Sequence, residues 1–331
     1  MNVMRLYGVR DLRLNNEPPP ILMEGDELLH VKAVGICGSD LHWYTTSRIG
    51  DDQLNHPLIL GHEFAGVTSS GLRVAVDPAL PCRTCEQCQS DNTNLCEQVK
   101  FAGHGSIDGA LRQQIAWDVQ NLFPIPDSMT YADAAMLEPL GVAIHSLDLA
   151  HIKTGMTVGI YGCGPIGLLI LQLARLSGAK TIIATDKRIH RLEAAKALGA
   201  TKTFLAEGGS ELSQIMAATA KRGVDIAFEV AGENDAVNLA IESVIPGGKV
   251  ILVGIPANNQ TSFVASVARR KGLTIKMVRR MKNTYPRAIT LVTSKLIDVQ
   301  SLVSHRFPLE KANEAFQLAE SRDGIKIMIE M

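Results

Sequence analysis

The chain has 331 residues, a formal net charge of -1, 46% hydrophobic and 20% charged residues. That length exceeds what one hydrophobic core usually serves, so two domains are expected, and the composition is that of an ordinary globular protein. The near-zero charge gives no electrostatic case for nucleic acid or an anionic membrane as partner, and no apolar run reaches the roughly 18–20 residues that span a bilayer.

Met1–Arg13 lacks an apolar signal core, so a cytoplasmic location is expected. The next stretch, to about Thr130, reads as β-rich. Leu28–Val34, Leu58–Leu60 and Arg73–Val76 are short apolar runs, punctuated by Pro18-Pro19-Pro20, Gly35 and Pro78. Two motifs in it carry metal-ligating side chains: Gly35-Ile36-Cys37-Gly38-Ser39-Asp40-Leu41-His42 and Gly61-His62-Glu63-Phe64-Ala65-Gly66. From spacing alone, Cys37 and His62 read equally well as buried core residues. Four of the six cysteines follow, as Cys82, Cys85, Cys88 and Cys96. In a long chain without a signal segment such crowding points to metal rather than to disulfides. Four thiolates can close a tetrahedral shell around zinc and leave no open position, so this site would hold a loop in shape. An iron–sulfur cluster also takes four cysteines, at other spacings, and a redox switch is the remaining reading.

From Tyr131 the pattern changes. Ala132–Leu149 predicts a helix, Thr157–Tyr161 a buried strand, and Gly167–Ser177 a helix. Thr181–Thr185 is the next strand and Arg188–Leu198 the next helix, ended by Gly199. Val224–Val230 and Lys249–Val253 are further strands. This alternation, from about 157 to 280, implies a parallel, doubly wound α/β sheet. The first strand runs into Gly162-Cys163-Gly164-Pro165-Ile166-Gly167 and then a helix. The first glycine makes the tight turn, the second lets backbone approach a pyrophosphate, and the third lets helix and strand pack closely. The helix N-terminus offers free N–H groups to phosphate. Asp186, at the end of the next strand, can accept bonds from ribose hydroxyls and would repel a 2′-phosphate, which favours NAD over NADP. Lys187 and Arg188, next in sequence, pull the other way. Arg191, Val230, Val253 and Gly254 are the remaining cofactor-binding candidates. Pro308–Ala319 predicts a helix and Ile325–Ile329 a last strand.

Taken together, several stretches resemble the zinc-containing medium-chain dehydrogenase/reductase family, and within it the sorbitol (L-iditol) and related polyol dehydrogenases. They are the Cys37–His42 and Gly61–Glu63 motifs, Arg48-Ile49-Gly50-Asp51, the four-cysteine lobe, Leu137-Glu138-Pro139-Leu140, Asn283-Thr284-Tyr285-Pro286 and Ser304–Lys311. The likeness runs in order along nearly the whole chain. It implies a β-rich, GroES-like catalytic domain at 1–143 and 282–331 around a Rossmann NAD-binding domain at 144–281. It further implies two zinc ions per chain: a structural one on the four-cysteine lobe, and a catalytic one on Cys37, His62 and Glu63, with Glu138 nearby and able to join. Asp40 would orient His62. Zinc would activate an alcohol whose hydride passes to nicotinamide, and Ser39 and His42 occupy the proton-relay positions. Trp43, Glu138 and Arg280 fall at substrate positions, and a guanidinium fork suits a polyhydroxyl substrate. Trp43 and Met281 stand where tyrosine is common in animal members of the family. The resemblance therefore implies a polyol substrate, with L-threonine or 2,3-butanediol as the neighbouring alternative and a non-catalytic nucleotide-binding relative as the remote one. It also implies a homodimer or homotetramer. One departure stands out. After Gly66 most members continue through a further strand–turn–strand, whereas here Val67–Leu72 leads straight to Arg73. A trimmed hairpin is expected to strip ladder partners from a closed β-domain, which favours a missing segment over a true deletion.

Overall fold

The computed structural model describes residues 1–207 and 209–331. The chain forms two compact units, Met1–Gly141 with Lys282–Met331, and Val142–Met281.

In the first unit, Asp26–Gly35 is the spine of a seven-stranded sheet. It pairs antiparallel with Gln114–Asp118, with Glu63–Thr68 and with Lys326–Glu330. Its first three residues are half-buried, Leu28–Ala33 alternate between half-buried and buried, and its last three residues are buried without alternation. That is what the sequence pattern of a strand passing from sheet edge into core should give. Val31, Val34, Phe64, Val74 and Trp117 belong to one hydrophobic core with Phe316 and Ile327.

The short link after Gly66 closes without loss. Thr68 N–H donates to Leu72 O at 2.9 Å, Gly71 N–H to Thr68 O at 3.0 Å, and Leu72 N–H to Thr68 Oγ1 at 3.0 Å. Val67 then pairs directly with Arg73, and the far edge of Arg73–Val76 is covered by Leu122–Pro124. The expected stripping of ladder groups does not occur, because a tight turn lets the two strands pair with each other at once. The sequence as it stands therefore builds a complete hairpin.

The stretch expected to be one helix is two, Tyr131–Ala135 and Leu137–Ala150. Pro139 explains the break, since it has no N–H to offer the carbonyl of Ala135. Thr130 starts the first helix, accepting from Asp133 N–H at 3.1 Å while Asp133 accepts from Thr130 N–H. The helix expected from Pro308 begins at Ala312, after the strand Val303–Pro308 and one 3-10 turn.

The second unit is an α/β layer structure. Its six strands are all parallel, in the order Lys202–Leu205, Thr181–Asp186, Thr157–Tyr161, Val224–Glu229, Val244–Leu252, Thr274–Met277. This is the doubly wound arrangement expected of a Rossmann sheet, and the strand order reverses between Thr157–Tyr161 and Val224–Glu229, where such sheets bind ligands. Ile183, Ala227, Val250 and Ile241 lie at its core. Among the described residues no helix is long and apolar enough to cross a membrane.

Thr68 is buried, and its hydroxyl bonds both Leu72 N–H and Ser70 Oγ, the latter at 2.8 Å. Thr68→Ala is expected to cost about 1 kcal/mol, read as a lowered midpoint in urea unfolding with an unchanged m-value.

Candidate metal centre and nucleotide turn

Cys37 and Glu63 reach one place because their strands are neighbours: Gly35 pairs directly with Glu63. A side chain on Gly35 would strike Glu63, its Cβ falling 2.1 Å from Glu63 Oε2. The glycine is therefore a space requirement of the carboxylate. One ligand atom each from Cys37, His62 and Glu63 lies within 4.8 Å of the others. His62 and Glu63 are buried, and Cys37 is half-buried at the start of helix Gly38–Thr46.

Asp40, in the first turn of that helix, binds this arrangement together. Its carboxylate accepts from Cys37 N–H at 2.9 Å and from Gly61 N–H at 3.2 Å, and lies 3.4 Å from His62 Nδ1. With Nδ1 facing Asp40, Nε2 is the ring nitrogen left for a metal. Burial alone would raise the Asp40 carboxyl, but His62 and the two backbone N–H groups outweigh it and hold it below its ordinary range. Burial would likewise lower His62, but Asp40 and Cys37 lift it well above. A metal that took this ring would have to displace its proton, so its affinity would fall as the solution becomes acid.

Lys326 was not legible as part of this site. Its Nζ donates to both Glu63 oxygens, at 2.7 and 2.5 Å, and to Ile36 O at 3.0 Å. Burial works to discharge the ammonium, but Glu63 and Cys37, with Glu138 behind them, keep it above its ordinary range. The available signal was a lysine inside the apolar run Ile325–Ile329.

Glu138 is buried at the start of Leu137–Ala150 and is not one of the three clustered ligands. Ser39 and His42 are both half-buried on Gly38–Thr46. Trp43 is buried, edge-on to His104 at 5.4 Å, and His104 is held by Asp52 at 2.8 Å. Arg280 belongs to the second unit, half-buried and in the left-handed region with φ 52°.

Cys82, Cys85, Cys88 and Cys96 form a second cluster with ligand atoms within 4.8 Å. None is in a disulfide. Hydrogen bonds from Thr84 and from the Cys85 N–H hold the Cys82 thiol at about 6, while burial and the neighbouring thiols push Cys88 to about 12. Cys82 thus ionises readily while Cys88 resists a second like charge beside it, a resistance that a divalent cation would remove. The lobe is anchored by Lys282, donating to Asn92 at 2.9 Å, and by Asn283, donating to Asp91 at 2.5 Å.

In the second unit, Gly164 caps helix Pro165–Leu176, with Pro165 and Ile166 as its first residues. Gly167 packs against the strand so closely that a Cβ would sit 2.0 Å from Gly162 O. Asp186 is buried and reaches back into this turn, accepting from Cys163 N–H at 2.7 Å, and it also accepts from Arg188 N–H at 2.9 Å. Lys187 pairs with Glu233. Arg191 lies over the turn, its Nη1 3.9 Å from where a Gly164 Cβ would be. Val230 N–H donates to Tyr161 O at 2.8 Å. Glu229, absent from the sequence-based candidates, secures two neighbouring loops. Its carboxylate accepts from Ala231 and Gly232 N–H at 2.8 and 2.7 Å, and its carbonyl from Val253 and Gly254 N–H at 2.8 and 3.2 Å. Burial pushes its carboxyl up against the pull of these bonds.

Residues 23–127 match the family model of the alcohol dehydrogenase GroES-like domain, and residues 165–294 that of the zinc-binding dehydrogenases. The chain is 38% identical to sorbitol dehydrogenase of Bacillus subtilis, covering 99% of this chain and 97% of that protein. It is 33% identical to L-idonate 5-dehydrogenase of Vitis vinifera, covering 98% and 93%. Among solved structures it is similar to an Escherichia coli oxidoreductase/dehydrogenase of unknown specificity, with a TM-score of 0.93, 30% identity and coverage of 99% and 98%.

Asp40→Ala would leave Cys37 and Gly61 N–H groups unpaired and His62 unoriented. A 10–100-fold loss of zinc affinity is expected, on the order seen when outer partners of metal ligands are removed, measured by competition against a chelator.

Proposed function

The chain belongs to the zinc-containing medium-chain dehydrogenase/reductase family, close to its polyol dehydrogenases, and we propose that it oxidises a secondary alcohol of a sorbitol-, xylitol- or iditol-like polyol to a ketose with NAD as acceptor. The observation that carries this reading is the three-ligand cluster Cys37, His62 and Glu63. Three protein ligands leave tetrahedral zinc an open position for substrate, which the four-cysteine set does not. The donor types suit zinc, with a thiol, an imidazole and a carboxylate converging in a mostly buried setting.

When bound, zinc supplies Lewis-acid polarisation of the substrate hydroxyl and the nicotinamide takes the hydride. The rest falls to the chain. Cys37, His62 and Glu63 hold the metal, and Asp40 fixes the imidazole. Ser39 and His42, one turn apart on a single helix, carry the hydroxyl proton away from the buried site. Glu138, Trp43 and Arg280 are the substrate contacts. The first unit serves as the catalytic domain and the second as the nucleotide domain. Gly162, Gly164 and Gly167 cradle the pyrophosphate with Pro165 and Ile166, and Arg191, Val230, Val253 and Gly254 complete the nucleotide contacts. Asp186 favours an unphosphorylated ribose, and the pairing of Lys187 with Glu233 supports that preference. The four-cysteine lobe takes the second zinc. The similarity to sorbitol and L-idonate dehydrogenases supports the polyol class. A cytoplasmic homodimer or homotetramer completes the reading.

The test is a panel of polyols, 2,3-butanediol and L-threonine with NAD and NADP, beside metal analysis. Two zincs per chain and NADH formation on polyols are the expected results, and His62→Ala should hold one zinc and lose turnover. Turnover of L-threonine without turnover of polyols would overturn the substrate assignment.

A further inference from the structure

The Lys326–Glu63 pair is deeply buried, with side chains 2% and 1% exposed. An ammonium has three N–H donors and no acceptor. Here the ammonium is directed at both oxygens of Glu63 and at Ile36 O. Its effect on the site therefore passes through Glu63. That carboxylate is gripped at both oxygens. Any metal that takes Cys37, His62 and Glu63 must share Glu63 with a positive charge already seated on it. Both partners are almost wholly out of water, and a buried charge without a partner is costly.

We propose that Lys326 is a positioning residue of the metal centre: a resident cation that compensates Glu63 when the metal is absent and weakens Glu63 as a ligand when the metal is present. The proposal rests on reading Cys37, His62 and Glu63 as zinc ligands. It follows that the site trades metal affinity for a ligand that can loosen. Two cations sharing one carboxylate repel each other, and the coupling is reciprocal.

The experiment compares wild type, Lys326→Met, Lys326→Arg and the double variant Glu63→Gln/Lys326→Met in the full chain. The zinc that His62→Ala lacks is titrated against a chelator, and thermal unfolding is followed with and without zinc. Lys326→Met is expected to hold that zinc more tightly, by about tenfold or more on the scale set by outer partners of ligands. Its zinc-induced rise in Tm should exceed that of wild type, because its zinc-free form loses most stability. Lys326→Arg should restore wild-type zinc affinity. In the double variant the zinc-free form should recover stability, since neither charge is left alone. A merely structural lysine predicts the opposite sign, with zinc held equally or more weakly in Lys326→Met, and that result overturns the proposal. So does a zinc-free double variant no more stable than Lys326→Met, including the case where neither folds. Absence of the second zinc from wild type would instead defeat the zinc assignment itself.

Discussion

A carboxylate taken out of water must find its compensation within hydrogen-bond distance, and in this protein that requirement draws distant parts of the chain to one point. Glu63, Asp40 and Glu138 are all buried in the first unit. Asp40 is answered by two backbone N–H groups and an imidazole, and Glu63 by an ammonium from the strand on the other side of the sheet spine. The sheet order permits this. Asp26–Gly35 lies between Glu63–Thr68 and Lys326–Glu330, and the two charges meet beside the space left by Gly35.

The second unit answers the same constraint differently. Asp186 and Glu229 stand at the carboxyl ends of buried strands and spend their oxygens on backbone N–H groups of the adjoining loops. Such bonds preorganise a loop at low entropic cost on binding. The glycine turn is held from beside by Asp186 and from within by the contact of Gly167 with Gly162. A nucleotide would therefore meet a surface already fixed.

How far the sequence could be read follows from what each feature depends on. The doubly wound sheet was legible because parallel strands are apolar on both faces and alternate with helices of another period, and the zinc-binding dehydrogenase family could be recognised from motifs with fixed spacing. The candidates Cys37, His62 and Glu63 could be named because their residue types are chemically conspicuous. Lys326 could not, because its meaning comes from a register across three strands, and register between distant segments is not written in local pattern. The same holds for Glu229, which sits at the end of an apolar run like any boundary residue. The hairpin at Thr68 departs from the sequence expectation for a related reason. Whether a shortened loop strips a ladder depends on which strand moves in beside it. The helix break at Met136 was there to be read, since Pro139 marks it.

The first unit is interrupted: the chain leaves it at Gly141 and resumes it at Lys282. Glu63 and Lys326 are consequently 263 positions apart. While the intervening segment is unfolded, that closure carries the entropy of a very long loop, and once it folds on its own most of that cost is gone. Folding of the intervening segment therefore lowers the cost of docking the last strand on Asp26–Gly35. The closure that brings the Lys326 ammonium to Glu63 is in this way tied to the folding of a unit that holds neither residue.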